Sequence, residues 1–372
     1  LPPDAFASPE ETGRPLTPAL SLYLDAWRLL AALAVMMCHF GSRRMSGGLL
    51  WQMTPYGAQA VDVFFVLSGY VIAYAATRET TPRVFALSRL ARLWSVAVPA
   101  LVVTFGLDAV GRAICPAAYA ALPGHPIGLS IAWQTAAGLL FVNQLWRHAI
   151  PVGANIPWWS LGYEAPYYLA FFWLTFGGRI GRIVGPLGVA AMAGPTITVM
   201  SSLWFTGAAV RRRHARHGEP GALPWRSLLA APALWIGYEA GCHVLGRPLG
   251  IIAGTRAELP QDLLVGALFA IHLWQAPALL ARLPPCPPRL ARAIRYGASR
   301  SFALYLMHYP VMLFLRAVML LVVPSWSPMI LLPATLLICA GLGGLTEARK
   351  DVWRRGLALL VPERTFKEGL LF

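Results

Sequence analysis

Charge is what this sequence has least of. Of its 372 residues only 13% are charged and 57% are hydrophobic, where a soluble protein of this size carries about 25% charged residues. The deficit excludes a fully hydrated surface and implies that a lipid bilayer covers much of the chain. Acidic groups are scarcer still, 16 against 31 Lys and Arg, for a formal charge of +15. The arginines fall in short stretches between apolar runs, as in loops facing anionic lipid, so nucleic acid is not expected as a partner. Cysteine is sparse, odd in number and scattered: Cys38, Cys115, Cys242, Cys286 and Cys339. No paired spacing supports a disulfide framework or a metal site, no metal is expected, and the thiols read as packing groups. Residues 1–20 contain Asp4, Glu10, Glu11 and Arg14 but no apolar stretch. A cleavable signal peptide is therefore not expected, and targeting falls to the first membrane helix.

What is present is a series of apolar runs of membrane-spanning length. They predict an all-α integral membrane protein of about ten transmembrane helices, near 22–40, 58–77, 93–107, 127–145, 160–176, 183–205, 227–245, 260–281, 301–323 and 328–346. With a cytoplasmic N-terminus, the inside loops hold Arg78, Arg83, Arg89 and Arg92, then Arg147, then Arg211, Arg212, Arg213, Arg216 and Arg226, then Arg282 to Arg300. The outside loops hold Arg43, Arg44, Arg112, Arg179, Arg182, Arg247 and Arg256. This asymmetry predicts that both termini are cytoplasmic. It divides the chain into a tail at 1–20, a bundle at 21–347 and a basic tail at 348–372, with about Thr206 to Arg226 as a basic cytoplasmic linker.

Ionisable groups inside hydrocarbon imply a partner, a watery cavity or a function. The first run carries Asp25, Arg28 and His39. Eleven residues return to nearly the same helix face about 16 Å further along the axis, so Arg28 and His39 are expected to open into one cavity at different depths. Asp25, three residues before Arg28, reads as its ion-pair partner. A neutral imidazole at His39 can take a proton from a hydroxyl; a boundary histidine bonded to backbone or water is the alternative. Asp62 reads equally as a boundary carboxylate or a catalytic one, and Ser68-Gly69 permits close helix packing. Arg89 and Arg92 share one face and suit phosphate oxygens, or serve only as topology-setting charges. Glu164, among aromatics, either positions substrate or tunes Arg28 or His39, or is a carboxylate favoured by a helix N-terminus. His308 and Arg316 either line the same cavity or are satisfied by neighbours.

In order along the chain, these segments resemble the bacterial acyltransferase 3 family. Leu24-Asp25-Ala26-Trp27-Arg28 through His39-Phe40 is similar to its first motif, with ten residues between arginine and histidine. Val61-Asp62-Val63-Phe64-Phe65-Val66-Leu67-Ser68-Gly69-Tyr70 is similar to its second. Arg89 and Arg92 before Pro99, Trp159-Ser160-Leu161 with Glu164, and Ser301-Phe302-Ala303-Leu304-Tyr305-Leu306-Met307-His308-Tyr309-Pro310 resemble the rest. The sequence departs from the pattern at Ala26-Trp27, at Ala165-Pro166, and after Glu347, which no proline follows. The resemblance implies a multi-pass enzyme of the bacterial inner membrane that moves an acyl group, acetyl foremost, from cytosolic acyl-CoA to a hydroxyl of a carbohydrate or lipid-linked glycan. It implies His39 as general base with Arg28, Asp25 and Glu164 beside it, and Arg89, Arg92, Ser68 and Tyr305 on the acetyl-CoA side. A transporter or flippase of a lipid-linked sugar is the competing class.

Overall fold

The computed structural model describes residues 15–79, 81–120, 122, 129–146, 148–217, 259–322 and 328–360. They are helical almost throughout. Thr17 caps α1 (Pro18–Phe40) by accepting from the Leu20 N–H at 3.2 Å, with Pro18 placed where its missing N–H costs nothing. α2 spans Gly57–Ala76 and α3 Pro82–Ile114; the latter starts with the same Thr-Pro device at Thr81-Pro82. After them come α4 (Ile131–Leu139), α5 (Leu161–Phe176), α6 (Gly181–Ala193) and α7 (Pro195–His217). The described chain closes with α8 (Leu259–Leu280), α9 (Pro288–Ala298), α10 (Ser301–Val322), α11 (Leu331–Leu345) and α12 (Lys350–Leu360). Among the described residues, six helices are long and apolar enough to cross a membrane. The chain is an all-α, multi-pass membrane protein.

α3 serves as a ruler for the bundle. Its 33 residues extend about 50 Å, well beyond a hydrocarbon core of about 30 Å. Phe85 packs on Phe171, Phe172 and Phe176, and Trp94 Nε1 donates to the Leu139 carbonyl at 3.1 Å. Higher up, Thr104 Oγ1 accepts from Asn155 Nδ2 at 3.0 Å and Asp108 Oδ2 from the Ala154 N–H at 2.7 Å. α5 therefore runs antiparallel to α3, ending at the level of Phe85. The run expected to span at 127–145 does not cross. α4 dips from the Asp108 level to the Trp94 level, and the chain climbs back to Asp108 before α5 descends. Polar anchors make the dip possible, since Gln134 Oε1 also accepts from the Gly153 N–H at 2.9 Å, which satisfies part of the returning backbone.

The run expected as one helix at 183–205 is two. Gly194 takes φ 89° and Pro195 follows it, so the α6 hydrogen-bond ladder stops and a new one begins. α7 then continues past Thr206 to His217, into the stretch expected as a linker, whose remaining residues 218–226 lie outside the described ones. Arg211 lies over the Tyr74 ring, and His214 bonds to the Tyr70 hydroxyl and the Trp274 carbonyl, each at 3.0 Å. These contacts bring the arginines back to the end of the bundle where α1 begins and α5 ends, here termed the basic end. Arg179 and Arg182, expected on the opposite side, follow α5 at this same end. α2 and α7 cross with backbones in contact: a Cβ at Gly69 would strike the Trp204 carbonyl, and one at Gly207 the Val66 carbonyl. The expected span at 227–245 lies outside the described residues. Part of the expected tail from 348 is α12, which packs Leu357 on Leu87 and Ala91 of the projecting α3 segment.

Candidate active site

Arg28 sits near the basic end of α1 with two carboxylates around it. Its guanidinium is 3.6 Å from Asp25 and 3.5 Å from Glu347, and Nη2 donates to Ser301 Oγ at 3.4 Å. Asp25 also meets Arg295 of α9 at 3.5 Å. Glu347, which sequence reading singled out only as the end of the family pattern, does two jobs. Its Oε2 accepts from the backbone N–H groups of Phe302 and Ala303 at 3.1 and 3.2 Å, while Oε1 faces Arg28. It therefore caps the N-terminus of α10, where an acceptor is electrostatically favoured, and anchors the arginine. Nothing local in the sequence pairs residues this far apart.

A second cluster joins α2, α3, α5 and α7. Glu164 Oε1 accepts from Ser68 Oγ at 2.6 Å and from the Tyr168 hydroxyl; Trp204 Nε1 donates to Ser68 Oγ at 3.2 Å. Arg92 is within electrostatic reach of Tyr168, Glu164, Glu347 and Arg28. Arg89, one turn earlier, is engaged elsewhere: its Nη2 donates to both Glu79 oxygens at 2.8 and 2.9 Å. The two arginines share a helix face as expected, but only Arg92 reaches the cleft described next.

The cleft is lined by Arg28, Arg92, Ser68, Glu164, Ser301 and Tyr305, with Ser160 and the apolar face of α2 between Val61 and Val71. Its empty volume, counted out to its mouth, is about 620 Å³. Val61 to Val71 covers about 15 Å of helix, so the space is long and narrow. The Tyr305 hydroxyl donates to Ser160 Oγ at 2.7 Å, tying α10 to the 3-10 turn Ile156–Ser160 that leads into α5.

His39 is not a wall of this cleft, contrary to the expectation that it shares a cavity with Arg28. The reason is the packing of α10: the rings of His308 and Tyr309 stand 5.2 and 5.0 Å from that of His39 and occupy the side from which it emerges. His308 is fully buried, and its Nδ1 donates to the Leu304 carbonyl at 3.0 Å. The far end of the cleft approaches the same depth. Gly57, one turn before Val61, lies against Cys38, the neighbour of His39, and Tyr305 of the cleft wall is one turn before His308 and Tyr309. Asp62 is fully buried, within the first two turns of α2, and Arg316, further along α10, is not a cleft residue.

A family model described as "Acyltransferase domain" matches residues 21–344. "Acyltransferase MdmB" of Streptomyces mycarofaciens is 34% identical over 155 residues, a match that spans 40% of this chain and 37% of that relative. No solved structure matches. With the family model covering most of its length, from the first apolar helix to the end of α11, the chain belongs to the acyltransferase family that this domain defines.

Proposed function

We propose that the protein transfers an acyl group, acetyl foremost, from acyl-CoA to a hydroxyl of a carbohydrate or lipid-linked glycan. The observation that carries this reading is the narrow cleft that starts between Arg28 and Arg92 and runs along α2 toward the depth of His39. Its shape suits a phosphopantetheine arm, and its arginine end suits the phosphates of coenzyme A. Arg92 meets the donor first; Arg89 joins it if a phosphate displaces Glu79. Ser68 and Tyr305 line the path of the arm, and Glu164 holds Ser68 and Tyr168 in place beside Arg92. In this reading residues 21–347 form the catalytic bundle, the basic end faces the cytosol of a bacterial inner membrane, and the chain termini lie on that side.

At the far end His39 accepts the proton of the acceptor hydroxyl as its oxygen attacks the thioester carbonyl. The new ester C–O bond forms, the C–S bond breaks, and the proton held by His39 passes to the departing thiolate. Arg28, steadied by Asp25 and Glu347, is about 16 Å away along α1 and serves the donor path rather than the reacting carbonyl. The test is purified full-length protein with radiolabelled acetyl-CoA and a panel of envelope glycans. Label is expected on a glycan hydroxyl with wild type and not with His39→Ala; glycan movement across a bilayer without acetyl-CoA consumption would instead indicate a flippase.

A further inference from the structure

The face that α2 turns to the donor cleft changes along its length. Val71, Ser68 and Phe64 follow one another at spacings of three and four residues, a single stripe of the helix, and all three are half-buried and line the cleft. Phe65 and Leu67, beside that stripe, are 2% and 1% exposed. One turn past Phe64 the open stripe stops, because Val61 is 3% exposed. Phe64 is therefore the last α2 side chain with open surface along this stripe, and it stands at the end of the cleft away from Arg28 and Arg92.

The walls around this ring are held in place. Tyr305 meets it edge to face, with centroids 5.4 Å apart, and the Tyr305 hydroxyl is fixed by Ser160 Oγ at 2.7 Å and the Pro157 carbonyl at 3.1 Å. Phe65 packs against Trp159, Tyr163 and Tyr167, and Leu161, also a cleft residue, is 1% exposed. Side chains packed in this way yield little to an intruding methylene group. The room at this end of the cleft is set by the size of the one ring that is not enclosed.

A donor entering from the arginine end has about 15 Å of cleft along α2, and an extended pantetheine arm takes up most of that length. Its acyl group then arrives at Phe64, whose flat apolar ring accepts a methyl group against it and stops a longer chain. A stop at this level keeps the thioester beside Tyr305, one turn before His308 and Tyr309, whose rings meet His39. We infer that Phe64 sets the length of the acyl group, favouring acetyl over butyryl. The inference rests on the acyl-transfer reading above and adds the residue that selects the donor.

Equilibrium binding to full-length protein in nanodiscs tests it without an acceptor. The probes are free coenzyme A, S-ethyl-CoA and S-butyl-CoA, thioethers that match the acetyl and butyryl thioesters in length and cannot be transferred. Each thioether affinity is referred to that of free coenzyme A for the same variant. Wild type is expected to bind S-butyl-CoA about tenfold or more weakly than S-ethyl-CoA, the worth of extra methylene groups against a fitted apolar wall. Phe64→Leu should narrow that gap and Phe64→Ala close it, while Phe64→Trp should weaken S-ethyl-CoA as well; if the alanine variant does not fold, the leucine variant decides. Equal binding of the two thioethers by wild type, or the same gap in the smaller variants, would overturn the inference and leave the donor cleft standing. Wild type that binds none of the three probes would overturn the donor reading, and the inference with it.

Discussion

Arg28 is held from two directions, and only one was legible in sequence. Asp25 stands three residues away on the same helix, a spacing that predicts the contact without any tertiary knowledge. Glu347 arrives from the far end of the chain, and no local pattern announces it. If Glu347 positions Arg28, then Glu347→Ala and Arg28→Ala should each lower transfer, and the double variant should lose less than the product of the two effects, measured as a double-mutant cycle on acetyl-CoA KM. Strict multiplicativity would mean that the carboxylate acts only as a cap on α10. The arginine pair behaves similarly under scrutiny. Spacing put Arg89 and Arg92 on one face, but it could not foresee that Glu79 would engage Arg89. Arg92→Ala is expected to weaken acetyl-CoA binding about tenfold or more, the worth of a charged hydrogen bond, and Arg89→Ala to weaken it less. Equilibrium binding to the two variants checks the order.

Hydropathy finds helices, but it does not say whether an apolar run crosses or turns back. The run around α4 is apolar enough to pass for a span, and only the bonds of its Leu139 to Trp94 and of its Gln134 to Gly153 reveal the dip. The break within the following run did leave a signal, because Gly194-Pro195 is a dipeptide that punctuates helices. Small residues at positions 68 and 69 were readable as a packing site, whereas the partner glycine at 207 was not, since it lies on a helix that seemed to end sooner. Replacing Gly207 by Ala forces a methyl into the Val66 carbonyl, so the α2 and α7 backbones must separate. A loss of about 1–3 kcal/mol is expected, read as a lowered midpoint of thermal unfolding. Gly106→Ala, where a Cβ meets open space, should leave that midpoint nearly unchanged.

For the molecule as a whole, two departures from a simple up-and-down bundle offset each other. α4 fails to cross, and the α6–α7 pair leaves and returns at the basic end, so Arg211 and its neighbours still lie where charge asymmetry put them. Arg179 and Arg182 do not: they change sides relative to a ten-span reading. Cysteines introduced at positions 179 and 213 should therefore react with a membrane-impermeant thiol reagent from one face, and one at position 43 from the other. Reaction of 179 together with 43 would restore the simple bundle. The central claim is that donor binding and proton transfer are separated along one cleft, with Arg92 at its start and His39 beyond its end. Measuring both acetyl-CoA affinity and acetyl transfer for wild type, Arg92→Ala and His39→Ala tests this most directly. The account predicts that His39→Ala binds acetyl-CoA normally and transfers about 10²–10⁴-fold more slowly, while Arg92→Ala loses affinity first; near-normal transfer by His39→Ala would contradict it.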